Sequence, residues 1–93
     1  MTIEEIKSNI YDVVKEYPIK SVMLFGSRAE QTNNEDSDID LIVEFYEPIS
    51  LLTLSSLRIE LEEIFNLGVD IVHGPIREED LIEVNKVVEL YAA

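Results

Sequence analysis

Two carboxylates, Asp38 and Asp40, stand one isoleucine apart at the head of the apolar run Leu41-Ile42-Val43. In an extended chain successive side chains alternate faces, so both acids share one face and Ile39 takes the other. Like charges held that close repel unless something positive sits between them. A divalent cation suits the position, because it takes carboxylate oxygens and completes its shell with phosphate. Upstream, a second apolar run, Ser21-Val22-Met23-Leu24-Phe25, delivers Gly26-Ser27-Arg28, and ten residues separate Ser27 from Asp38.

The 93 residues suit one small domain spanning 1–93, able to bury a core but less completely than a longer chain. With no cysteine, a disulfide framework, a thiol nucleophile and a thiolate metal site are excluded, which fits a reducing, cytoplasmic setting. The start Met1-Thr2-Ile3-Glu4-Glu5 lacks the basic and apolar segments of a signal peptide. No apolar run approaches the roughly 20 residues that span a bilayer. Twenty acidic residues against seven basic ones leave a net charge of −13. The seven (Lys7, Lys15, Lys20, Arg28, Arg58, Arg77 and Lys86) are scattered, so no basic stripe can neutralise a polynucleotide. A single nucleotide differs, since a bound metal supplies positive charge locally. The acidity serves solubility, or it steers the chain towards a basic partner protein.

Thr2 and Glu5 fit a capping box, and Ile3, Ile6, Ile10, Val13, Val14 and Tyr17 recur at helical spacing until Pro18. Residues 19–25 read as a strand whose continuous apolar end suits cover on both faces, as in a sheet flanked by helices. Asn33-Asn34 is a turn-forming pair, and a short helix can start at Ser27 with its hydroxyl as cap. Residues 38–45 form a second strand. Pro48 and Ser50 mark a helix with Leu54, Leu57, Leu61 and Ile64 on one face and Phe65 beside it. Arg58 and Glu62 can pair on its solvent side, and Gly68 is placed as its C-terminal stop. Val69-Asp70-Ile71-Val72 is a third strand, ended by Gly74-Pro75. Beyond it, Glu78, Glu79 and Asp80 suit a helix start that Leu81, Val84, Val88 and Tyr91 could continue. Alternatively 87–91 form an edge strand, which β-branched and aromatic enrichment favours. The expected class is α/β (α+β), a small mixed sheet flanked by helices.

Asp70 is a lone acid in a strand that otherwise reads as core. If this strand lies beside the second, Asp70 meets Asp38 and Asp40 at one end of the sheet. Three carboxylates there could hold two metal ions about 3.5–4 Å apart for an in-line displacement. Otherwise Asp70 merely ends its strand and caps a turn. Gly26-Ser27 is a phosphate cradle or an ordinary tight turn; it is no Walker A motif. Arg28 neutralises a phosphate or is simply solvated. His73 has no second imidazole or thiol for a metal set, and its parity places it opposite Asp70. Glu35 and Asp36 read as solvated loop acids, with Asp36 able to reach the metals.

Together these pieces resemble the nucleotidyltransferase pattern of the DNA polymerase β-like superfamily. Leu24-Phe25-Gly26-Ser27-Arg28-Ala29 with Ser37-Asp38-Ile39-Asp40-Leu41 is similar to the minimal nucleotidyltransferase (MNT) family, over essentially the whole chain. The resemblance implies Asp38 and Asp40 as Mg²⁺ ligands, with Asp70 joining them and helping to activate the attacking hydroxyl. It implies Gly26 and Ser27 on the β- and γ-phosphates of ATP, with Arg28 assisting. It also implies an antitoxin that pairs, as a hetero-oligomer, with a HEPN-domain ribonuclease toxin and transfers AMP from ATP to a tyrosine of it. Many members follow Gly-Ser-Arg-Ala with Arg-Gly; here the positions are Glu30-Gln31, which changes the loop and leaves the acids intact. A degenerate antitoxin that works by occlusion is the alternative reading. Transfer to a small molecule such as an aminoglycoside lacks a substrate-binding domain.

Overall fold

The computed structural model describes residues 1–75 and 87–93. Its elements are α1 (Ile3–Val14), β1 (Ile19–Phe25), α2 (Ser27–Glu30), β2 (Ile39–Phe45), α3 (Leu51–Phe65), β3 (Val69–His73) and β4 (Val88–Ala92). The four strands form one mixed sheet in the order β3-β2-β1-β4. Strand β1 runs antiparallel to β2 and β4, whereas β2 and β3 are parallel. Parallel neighbours need a long crossover, and α3 supplies it. The small mixed sheet with helices is as expected, and the end of the chain is an edge strand. The cover expected on both faces of 19–25 is not what the described elements give, since α1 and α3 pack on one face and β1 alternates buried with more exposed residues. The helix expected from Glu78 onward lies outside the described residues.

Local signals account for the helix ends. The Glu5 amide donates to the Thr2 hydroxyl (3.1 Å) and the Thr2 amide to the Glu5 carboxylate (3.2 Å), completing the capping box of α1. Ser50 caps α3 by accepting from the Thr53 amide at 3.1 Å. At the other end of α3 the left-handed residue is Asn66 (φ 55°), not Gly68, so the expected stop falls two residues early. Asparagine tolerates this conformation because its short side chain bonds locally. Helix α2 also differs: Gly26 is its N-cap, and Ser27 is already helical, so the serine hydroxyl does not cap it.

The core lies between one face of the sheet and helices α1 and α3. Ile10, Val13 and Val14 of α1 and Leu57 and Leu61 of α3 meet Val22, Leu41 and Val43 there. Alternate residues of β2, Ile39, Leu41, Val43 and Phe45, lie in this layer, and Ile42 is buried from the opposite face. Asp38, Asp40 and Glu44 are thereby turned to the opposite face. On α3 the buried seam steps through Leu57, Leu61 and Phe65, with Leu54 partly covered. Ile64, expected in that seam, is 41% exposed, because the seam advances by four residues from Leu61 and leaves position 64 on its flank.

Leu61→Ala is expected to cost about 2–5 kcal/mol by transfer loss and cavity formation. Ile64→Ala should cost less than about 1 kcal/mol. Urea unfolding of both variants beside the parent checks the difference.

Candidate active site

The sheet brings the three acids to one end of one face. Antiparallel pairing sets Phe25 beside Asp40, and parallel pairing sets Asp40 beside Asp70, so the row Phe25–Asp40–Asp70 shares a face. Asp38 precedes Asp40 by two residues and stands just before β2, which starts at Ile39 rather than 38. The Ile39 amide donates to the Gly68 carbonyl at 2.9 Å and binds the entries of β2 and β3 together. Because β1 runs the other way, its C-terminal turn, Gly26-Ser27, arrives at the same end.

Two glycines make room for the acids. A Cβ at Gly68 would lie 2.5 Å from Asp38 Oδ1 and 3.0 Å from its Cγ. A Cβ at Gly26 would press into the Asp40 carboxylate, 3.3 Å from Cγ, and Gly26 also holds φ +74°. Only glycine adopts that conformation without strain. Gly68 therefore does for Asp38 what Gly26 does for Asp40: each leaves a carboxylate lying close against backbone.

Electrostatics mark Asp40 as the costly member. Burial comes first among the causes that push its carboxyl above the ordinary value, followed by the charge and hydrogen bonding of Asp70 and the charge of Asp38. A cation is the natural relief.

Arg28 is neither solvated nor turned to open space. Only 3% exposed, it donates from Nε (3.1 Å) and Nη2 (2.9 Å) to the Ser37 carbonyl and from Nη2 to the Glu35 carbonyl at 3.4 Å. The guanidinium thus grips the loop immediately before Asp38. Nothing in the sequence around Arg28 signalled this, because its partners are main-chain carbonyls. Within the loop, Asn34 Oδ1 accepts from the Asp36 amide at 2.9 Å, an Asx turn that leaves Glu35 and Asp36 exposed. His73 packs on Phe45, with ring centroids 5.3 Å apart, and lies on the core-side parity of β3, opposite Asp70. Gln31, at the second departure from the motif, closes α2 in the left-handed region (φ 60°, ψ 32°).

Among the described residues no group of three or more acid or imidazole side chains is placed to hold a metal ion. The chemistry of Asp38, Asp40 and Asp70 is nevertheless of the kind a hard cation takes, since all the donor oxygens are carboxylate oxygens.

Carboxylates on adjacent parallel strands, facing a glycine-serine turn at the same end of a small mixed sheet, define a nucleotidyltransferase fold. The chain belongs to the family described as "Polymerase beta, Nucleotidyltransferase", which it matches over residues 8–89. A Methanocaldococcus jannaschii relative named "Putative protein adenylyltransferase MJ1217" is 40% identical over 86% of this chain and 92% of its own length. "Protein adenylyltransferase MntA" of Thermococcus cleftensis is 37% identical over 77% of each chain. A chain in the solved structure of tri-AMPylated Shewanella oneidensis HEPN toxin with MNT antitoxin has a TM-score of 0.72 and 17% identity, over 99% of this chain and 74% of that one. That last likeness is one of fold.

Two outcomes follow from the geometry. A carboxyl raised in the folded state keeps its proton longer than in the unfolded chain, so stability falls as pH rises from about 4 through that interval. In divalent-free buffer Asp40→Asn should therefore gain on the parent as pH rises towards neutrality, read by thermal unfolding. Gln31→Gly should relieve the left-handed residue and stabilise by about 1 kcal/mol, read by urea unfolding.

Proposed function

We propose that this chain is a Mg²⁺-dependent adenylyltransferase that moves AMP from ATP to a tyrosine hydroxyl of a HEPN-type toxin, acting as its antitoxin. The observation that carries this reading is the register placing Asp40 against Asp70 beside Gly26-Ser27. The named activities of its relatives and the toxin–antitoxin pairing of a structural neighbour support it.

In this reading Asp38 and Asp40 hold Mg²⁺ and Asp70 joins them. The bound ion supplies the positive charge that the acidic chain lacks towards a triphosphate. Gly26 and Ser27 receive the β- and γ-phosphates, the glycine by close approach and the serine through its hydroxyl, which is not engaged as a helix cap. Arg28 serves the nucleotide from behind, by fixing the loop that ends at Asp38. Asp70 accepts the proton of the attacking hydroxyl. The bond from that oxygen to the α-phosphorus forms as the bond to the bridging oxygen breaks, and pyrophosphate leaves with the electron pair. Positioning and charge neutralisation account for the rate.

The experiment combines the chain, a HEPN-type toxin and Mg-ATP, followed by intact-mass measurement of the toxin. Expected is a gain of adenylyl mass, its loss with EDTA, and a fall of about 100- to 10,000-fold in rate for Asp70→Asn. A toxin that stays bound and neutralised but never gains mass with any nucleoside triphosphate overturns the enzymatic reading in favour of occlusion.

A further inference from the structure

The three most exposed large apolar side chains among the described residues stand at the end of the sheet away from the acids. Tyr46, just after β2, is 61% exposed, and Leu51 and Leu52, in the first turn of α3, are 82% and 79% exposed. Beside this stretch a cavity of about 400 Å³ opens between the loop after β2 and the end of β3. Its walls include Glu44, Tyr46, Glu47, Ile49, His73 and Pro75. We infer that this end is a docking surface for a basic protein, which lays apolar side chains on the tyrosine and the two leucines and puts an arginine into the cavity. The inference goes beyond adenylyl transfer and stands without it.

Apolar exposure is the first reason. Large apolar side chains scattered singly on a surface are ordinary, whereas Tyr46, Leu51 and Leu52 are crowded into one loop and the helix turn after it. Neither leucine holds the fold together, because α3 packs through Leu57, Leu61 and Phe65 and is capped by Ser50. Nor does this end serve the carboxylates. Those stand at the heads of β2 and β3, and the strand from Asp40 to Phe45 spans about 17 Å.

Charge decides the occupant. The described walls of the cavity carry two carboxylates, Glu44 and Glu47, and neither lysine nor arginine. Glu44 is loosely paired with Lys20, at 3.7 Å, whereas exposed Glu47 forms no ion pair among the described residues. Two copies of the chain, each of net charge −13, repel one another, and a polyanion is refused for the same reason. A positively charged protein is attracted.

The aromatic walls select the cation. Tyr46 offers one ring, and His73, stacked on Phe45 with centroids 5.3 Å apart and planes 32° apart, offers a second flat surface. A planar guanidinium stacks on such rings while its forked donors reach a carboxylate, which a compact ammonium does less well. Arginine set among apolar contacts is also a common anchor of protein interfaces.

The test titrates the blocked tripeptides Leu-Arg-Leu and Leu-citrulline-Leu, alike in shape and different in charge, into the labelled full chain and follows backbone amides by NMR. Expected are shifts at Tyr46, Glu47, Leu51 and Leu52 and a preference of about two- to fivefold for the arginine peptide, the worth of an exposed ion pair. That preference should shrink as salt is raised. Glu47→Gln should abolish it. Leu51→Ser combined with Leu52→Ser should weaken both peptides alike, by about fivefold, and leave urea unfolding unchanged because neither side chain is buried. Equal affinity for the two peptides overturns the inference. Shifts centred on Asp38, Asp40 and Asp70 also overturn it, making those carboxylates the cation's site. Shifts of the same surface on concentrating the chain without peptide overturn it in favour of a second copy.

Discussion

The parallel pairing of β2 with β3 is the contact on which the site depends. It places a carboxylate on each strand side by side, an arrangement that repels and that no structural need explains. The crossover that makes it possible, α3, also adds Leu57, Leu61 and Phe65 to the core. Apolar burial and carboxylate placement are thus set by one connection: the helix layer covers one face of the sheet, and the opposite face is where the acids gather. The cost of gathering them appears at Asp40, whose carboxyl is held above its ordinary range mainly by burial and then by its neighbours.

The devices that hold the acids act through backbone rather than through counter-charges. Gly26 and Gly68 work by lacking a side chain, and the Ile39–Gly68 hydrogen bond ties two strand entries together. Arg28 spends its donors on carbonyls. No basic side chain forms an ion pair with Asp38, Asp40 or Asp70 among the described residues, where the pairs are Lys20–Glu44 and Arg58–Glu62. Nothing within the described protein thus offsets the mutual repulsion of these carboxylates. A lysine or arginine planted among them would satisfy them.

Much of this was legible beforehand, for reasons that differ by element. Helix α1 declared itself through a capping box and a regular apolar stripe, and α3 through Ser50. Asp70 stood out because an acid in an apolar strand needs an explanation, and the parallel register supplied one. The misreadings share a cause. Gly68 looked like a helix stop, but its need for a bare α-carbon comes from Asp38, thirty positions away in sequence. Arg28 looked solvated because no acidic partner lies near it in sequence, and carbonyl partners leave no trace in side-chain patterns. Ile64 and Phe65 are neighbours of equal apolar character, and only the crossing of α3 over the sheet decides which is buried.

The grip of Arg28 on the Ser37 and Glu35 carbonyls carries a consequence for how this turn can vary. Carbonyl groups are the same whichever residue bears them. The anchoring of the exit into Asp38 therefore does not depend on the side chain of Glu35, whereas Asn34 still shapes the turn through its own side-chain carbonyl. Conversely, a change at Arg28 itself would be felt at the other end of the loop, however well its own helix tolerated the substitution.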